Sequence, residues 1–510
     1  MGESTIGQIV FAGSENKSAS ELGGAMPVVV NAIPDSLGVV RRRPGIKAWP
    51  VFPANAGSGS PVVGMTAFGE FLVYVTADRK LHSLSSAGEV AELSDDTDLD
   101  TLLDGDSRPS LISGREMVVA AGHGAIQKWT GMGLSARLEN IGQGSAWYAQ
   151  HALPDAPGGP PPDATFLSAI AQRLVAQPSN GSGQIWWSGP LEAYENWDLA
   201  NGGAAYIQAS AKPDPIVAMA DNTNEVFAFG SETIQVYAPA SLHVDQNDPT
   251  NTLDFDLSRT MNLGTVSPYS IVSMDDMFAV LDRQRRFVVT DGRTYNDISR
   301  NISQVIRDMA NVTDAWSFRM RFGRFDCLVW MFPTDGYGLI WDAQSSNWAE
   351  WRAWSEGSEN VHITSAFNWS EQNAFLVGLD DGSIAQLDDA ATTDLEHPIK
   401  VEIQSGFTTH GTMAQKASKT VMLQFKRTRD PLPAPTGGSL SASGHVRVSI
   451  RDTQGPWKVI RDVQLSDDRM PVLTIRSLGV YRTRQWKLEY TGQDELQLVS
   501  AQEEFEILGA

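Results

Sequence analysis

The eight histidines, at positions 82, 123, 151, 243, 362, 397, 410 and 445, are the first candidates for metal binding or proton transfer. None falls in an HxxH or HExxH spacing, and with Cys327 as the one cysteine a zinc site would have to gather scattered ligands. The adjacent carboxylates Asp275-Asp276 and Asp380-Asp381 are the candidates for glycoside hydrolysis, which needs two carboxyl groups facing one bond. Neighbours along a strand point to opposite faces, and Asp380-Asp381-Gly382 has the composition of a turn, so neither pair is placed for that work. The chain has no GxSxG elbow, no Walker loop and no GxGxxG after a strand. Cys327, followed by Leu328, Val329 and Trp330, reads as a buried strand residue rather than a nucleophile. We therefore expect no catalytic residue, no cofactor and no metal.

Charged and aromatic clusters suggest recognition instead. Glu92, Asp95, Asp96, Asp98, Asp100, Asp104 and Asp106 crowd one short stretch. Asp96, Asp98 and Asp100 imitate the start of a calcium loop, yet Thr101 replaces the required glycine and Ser107 the terminal glutamate, so the stretch reads as a solvated acidic loop. Arg41, Arg42 and Arg43 precede Pro44-Gly45 and suit either a solvated turn or a grip on an acidic neighbour. Arg447, Arg451, Arg482, Arg484 and Lys487 fall on short alternating strands near the C-terminus, a candidate docking face for an acidic partner. Trp186, Trp187 and Trp197 suit a sugar platform or strand packing, and their strand setting favours packing. Residues 449–460 are similar to the Asp-box turn of sialidase propellers through Ser449, Asp452, Gly455 and Trp457, but each spacing is off by one residue. Where that box occurs it is a structural hairpin.

These residues hang on a repeated unit. In VFAFGSETIQVY (226–237) two alternating runs flank a Gly230-Ser231 turn, which is a strand, a turn and a second strand. Similar hairpins read at 71–84, 117–129, 173–188, 277–290, 327–342 and 374–387, stepped by about 45 to 58 residues, near the length of a propeller blade. A short apolar stretch precedes each one, giving the three to four strands a blade needs. A sandwich of ordinary hairpins is the alternative, but seven such units leave many open edges unless the array closes on itself. The fold is therefore expected to be all-β, a β-propeller of six or seven blades with a C-terminal β-sandwich-like domain. Asn301 or Ser299 is available to cap a helix in which Ile302, Val305, Ile306 and Met309 have helical spacing.

The expected organisation is an arm over 1–50, a propeller over 51–399 and a platform over 400–510, with the Pro/Gly-rich 151–164 interrupting the array. No run of some 18 apolar residues and no signal-like N-terminus is present, so neither a membrane span nor secretion is expected. The formal charge is -22, unevenly spread: residues 401–510 hold 14 Lys and Arg against 12 Asp and Glu, leaving 25 against 49 in the first 400. So acidic a propeller does not suit a DNA-gripping surface.

RRRPGI (41–46), GSETIQVY (230–237), SPYSIVSMDDMFAVL (267–281), YNDISRNISQVIRDM (295–309), GLIWDAQSSNWAEW (338–351) and RSLGVYRTRQWKLEY (476–490) carry a family resemblance. From about residue 26 to 508 the chain resembles the propeller-containing tail hub, or nozzle, of short-tailed bacteriophages, also called the packaged-DNA stabilisation or head-completion protein. The resemblance implies a structural virion protein of the tail, assembled in the host cytoplasm as a homohexameric ring. That ring would sit below the portal and adaptor proteins, close the DNA exit channel and carry tail fibres, tailspikes or a needle. Double-stranded DNA would pass through without sequence-specific binding, and the family supplies no catalytic residues. The 151–164 loop departs from the family pattern. On this reading the acidic loop at 92–106 faces the channel. A carbohydrate-active propeller enzyme and a monomeric interaction scaffold are the other classes; the first would show carboxylates converging on the propeller axis, the second no ring.

Overall fold

The computed structural model describes residues 4–9, 11, 28–34, 39–53, 57, 59–93, 107–115, 117–122, 126–131, 139–140, 164–179, 181, 183–189, 194, 197, 205–209, 214–239, 255–352, 362–395, 397–427, 445–453, 455–465, 468–492 and 496–508. Among them, seven antiparallel meanders form the blades of a propeller. Their first strands are Val62–Phe68, Ser110–Ser113, Ala164–Ile170, Ile216–Asp221, Val272–Met274, Trp316–Phe322 and Ile363–Trp369. First strands lie side by side from blade 1 through blade 4 and from blade 5 through blade 7, and that of blade 7 lies against that of blade 1. The second and third strands are the seven hairpins expected from the sequence, such as Val226–Gly230 with Ile234–Pro239 in blade 4.

Both faces of these hairpins are covered by adjacent blades. Every residue of Val226–Gly230 and of Arg173–Pro178 is buried, so alternation of apolar and polar residues does not mark an outside face. Gln235, 2% exposed, is accommodated because its side chain accepts a hydrogen bond from the Tyr237 hydroxyl at 2.8 Å. The core is consequently a series of interlayers. Phe227, Phe229 and Phe278 meet between blades 4 and 5, and Phe287, Trp330 and Trp348 between blades 5 and 6. The Asp381 turn of blade 7 is structural: Gly382 has φ 83°, and Asp381 Oδ1 accepts from the Ser383 amide and hydroxyl at 2.9 and 2.6 Å. Asp275 likewise lies in a turn and pairs with Arg319 at 2.9 Å.

The fourth strand of blade 7 comes from the other end of the chain. Gly45–Ala48 pairs antiparallel with Ile384–Asp388, Ile46 opposite Leu387, so the ring is closed by the arm. The other described strands of the arm are equally integrated. Val28–Val30 lies between blade 6 and Val401–Gln404; Ala32–Pro34 and Val40–Arg42 pair with each other; Val40–Arg42 and Ser4–Gln8 both join Leu496–Leu508.

The C-terminal domain is the expected sandwich, but it is not separate. Gln415–Arg427, Val472–Tyr481 and Leu496–Leu508 build one sheet. Val401–Gln404, Arg484–Thr491, His445–Asp452 and Lys458–Gln464 build the other, which continues through Val28–Val30 into blade 6 as one nine-stranded sheet. One core runs through blades 6 and 7 and the sandwich, from Val329 and Val377 to Val421, Val448 and Trp486. The helix, α1 (Ser303–Asp308), follows a 3₁₀ turn and buries Ile302, Val305, Ile306 and Met309 against blades 5 and 6 as its spacing predicts. Its N-cap is Ile302 with no side-chain cap; the Ser299 hydroxyl instead donates to Asp297 at 2.8 Å.

Candidate assembly surfaces and the propeller axis

The arginine triplet leaves its turn in three directions, because alternate residues of Val40–Arg42 face opposite sides and the chain then bends into the closing strand. Arg41 pairs with Asp389 of blade 7 at 2.7 Å and lies over Phe322. Arg42 is buried and donates to the Gly492 carbonyl. Arg43, 1% exposed, forms a fork with Asp394 (Nη1 to Oδ1 3.0 Å, Nη2 to Oδ2 2.5 Å), donates from Nε to Asn31, and stacks 4.2 Å from the Trp351 ring. The docking role expected of Arg42 and Arg43 is thereby corrected: both are spent inside the chain, tying the arm to blades 6 and 7 and the C-terminal domain.

The C-terminal basic residues divide similarly. Arg447 is exposed and shares Asp462 with His445, each at 3.0 Å, and Arg482 is exposed. Arg451 is partly buried over Phe407 and Trp457, and Lys487 sits between Glu402 and Glu489. Arg484, 0% exposed, is removed from the docking set: it pairs with Asp452 at 2.7 Å and stacks 4.0 Å from Tyr481. Of the five, Arg447 and Arg482 are the ones left exposed. Asp452, Gly455 and Trp457 of the Asp-box-like stretch form an ordinary hairpin connection.

Below Arg484 lies a buried polar cluster that spacing could not reveal. Glu503 accepts from the Tyr481 hydroxyl at 2.8 Å and meets His410 Nε2 at 3.1 Å, with Arg484 Nη1 at 3.8 Å. Burial alone would raise the Glu503 carboxyl, but the His410 and Tyr481 hydrogen bonds and the Arg484 charge outweigh it and hold it below the usual glutamate value. Alternation in Leu496–Leu508 signals an inward Glu503; its partners come from remote strands and carry no such signal.

Of the acidic loop, Asp95, Asp96, Asp98, Asp100, Asp104 and Asp106 lie outside the described residues. Glu92 is on the outermost strand of blade 1, Val90–Glu92, paired with Lys80 at 3.2 Å, and so does not face the axis of its own propeller. Trp186, Trp187 and Trp197 are buried, as the packing reading requires. Cys327 is 0% exposed and burial pushes its thiol well up, which keeps it protonated. Among the described residues no group of three or more His, Cys, Asp or Glu is arranged to hold a metal.

The axis holds a cavity of about 340 Å³, lined by the first strands and the segments that lead into them. Arg108, just before blade 2, spans it: its amide donates to the Tyr269 hydroxyl at 2.9 Å, its Nη1 donates to the Thr364 carbonyl of blade 7, and its guanidinium lies 4.6 Å from the Trp316 ring of blade 6. Tyr269 in turn packs against Phe166 of blade 3. Burial lowers Arg108 to about 10 and raises the Tyr269 phenol, so at neutral pH one is charged and the other protonated. Among the described residues no carboxylate lines this cavity, so the convergent acids expected of a glycoside hydrolase are not found there.

The family described as "Bacteriophage P22 Gp10, beta-propeller" matches residues 72–392, more than half of the chain. No curated protein matches. Among solved structures, the computationally designed Ika8 protein is similar at 15% identity over 75% of this chain and 100% of its own, with a TM-score of 0.36. BBS1N, solved in complex with ARL6DN, aligns at 15% identity over 68% of this chain and 98% of its own, TM-score 0.40. The N-terminal domain of Nup159 aligns at 11% identity over 70% and 98%, TM-score 0.38.

Proposed function

The chain belongs to the bacteriophage P22 Gp10 β-propeller family, and from that premise we propose that it is a ring-forming component of the phage tail. As a member of that family it is a structural protein of the virion. In the proposed role, copies assemble as a homohexamer below the portal and adaptor, close the DNA exit channel, retain the packaged genome and carry fibres, spikes or a needle. The observation that carries this reading is the family match over the propeller. The charge supports it: 49 acidic against 25 basic residues in the first 400 make a wall that repels phosphate, so DNA slides past instead of sticking. The near-neutral C-terminal domain, with Arg447 and Arg482 exposed, is the better face for docking protein partners. The role is non-enzymatic.

The test is to assemble phage particles without this chain and measure how much packaged DNA survives nuclease. The reading predicts filled particles that leak, restored by adding the purified protein. Particles that keep their DNA equally well without it would overturn the retention role.

A further inference from the structure

The axial cavity has features that sealing a channel does not need. Its lining is mixed: Met65, Leu111, Phe166, Met219 and Ile271 give it apolar surface, and a guanidinium is set among them. Arg108 uses Nη1 for the Thr364 carbonyl and one face of its plane for Trp316, while Nε and Nη2 have no described partner. Asp314 acts on Arg108 only as a longer-range charge; it accepts from the Thr334 amide at 2.8 Å and forms no described ion pair with Arg108. Tyr269, whose hydroxyl accepts from the Arg108 amide, keeps its own proton to donate. Two donors and no described carboxylate therefore border a space of mixed polar and apolar lining. A partly buried cation whose nearest acidic group, Asp314, makes no described ion pair with it is incompletely compensated, and a ligand anion offsets that cost where a neutral molecule does not.

We propose that the propeller axis is a binding site for a small organic carboxylate with an apolar body, its carboxylate held by Arg108 and Tyr269 and its body by the first strands of blades 1 to 4. An extended medium-chain acid suits the cavity, because Met65, Leu111, Phe166, Met219 and Ile271 offer its body apolar surface beside the two oriented donors. This site is independent of ring formation and of the tail reading.

The test is calorimetric titration of the full-length protein with octanoate, 1-octanol and inorganic phosphate. Octanoate is expected to bind saturably at one per chain, octanol at least tenfold more weakly, and phosphate, which lacks the apolar body, not measurably. Arg108→Met should bring octanoate down to the level of octanol, and Arg108→Lys should retain most of the affinity. Ala366→Phe fills the cavity from blade 7 without touching Arg108 and should abolish both ligands; with the octanoate-to-octanol ratio of the unaltered protein it decides the matter even if Arg108→Met does not fold. Equal binding of octanoate and octanol, or no saturable octanoate binding to the folded protein, would overturn the proposal and leave Arg108 as a brace across the axis.

Discussion

Replacing Arg43 with methionine keeps the length of the side chain and removes its charge, fork and stacking. In the native structure the Arg43 and Asp394 side chains are 0% and 7% exposed, so Asp394 would be left as an unpaired carboxylate in the interior. Breaking a buried pair from one side costs about 3–5 kcal/mol, and the lost contact over Trp351 acts in the same direction. Removing the second charge as well should be less harmful than removing one, because the desolvated carboxylate is what dominates the cost. We therefore expect Arg43→Met and Asp394→Asn each to destabilise by about 3–5 kcal/mol and the double variant by no more than either single change. The assay is urea denaturation of the purified chain followed by circular dichroism and tryptophan fluorescence, read at the first unfolding transition. An Arg43→Met loss below about 1 kcal/mol, or a double variant equal to the sum of the singles, would refute the assignment of this pair as the tie between arm and propeller.

Ile46→Ala in the closing strand should cost about 2–5 kcal/mol and lower amide-exchange protection over 384–388 first; unchanged protection there would count against closure by the arm. Glu503 has a folded value held low, so its contribution is present above the ordinary glutamate value of about 4.5 and is lost as pH falls through the lower folded value. The near-ultraviolet signal of the C-terminal domain should therefore drop in that acid range, and Glu503→Gln should flatten that part of the profile; an identical acid profile in the variant would rule the cluster out as the cause. If the acidic loop faces the ring's channel, Asp95, Asp96, Asp98 and Asp100 changed together to lysine should slow DNA ejection from virions, and an unaltered rate would remove the loop from the channel wall.

The hairpins were legible because their strands are rich in β-branched and aromatic residues and their turns carry residues such as Arg285 and Gly382, whose backbones take positive φ there. Fourth strands were not: Val90–Glu92 and Glu139–Asn140 are short, and Gly45–Ala48 is hundreds of residues from the blade it completes. Pairing at that range leaves no periodic trace. The arginines show the same limit, since a buried Arg43 and an exposed Arg447 are the same letter, and only Asp394, 351 residues away, distinguishes them. Arg108 gave no signal at all, because its partners are a carbonyl on blade 7, a ring on blade 6 and a hydroxyl before blade 5. The sandwich strands were readable from their alternation, while their continuity with blade 6 depends on the three residues Val28–Val30.

The proposed ring is tested most directly by the mass of the native protein in solution, measured by light scattering alone and after mixing with portal and adaptor proteins. The account predicts a species of about six times the mass of one chain, formed alone or on the adaptor. A monomer that stays a monomer in the presence of both would contradict it.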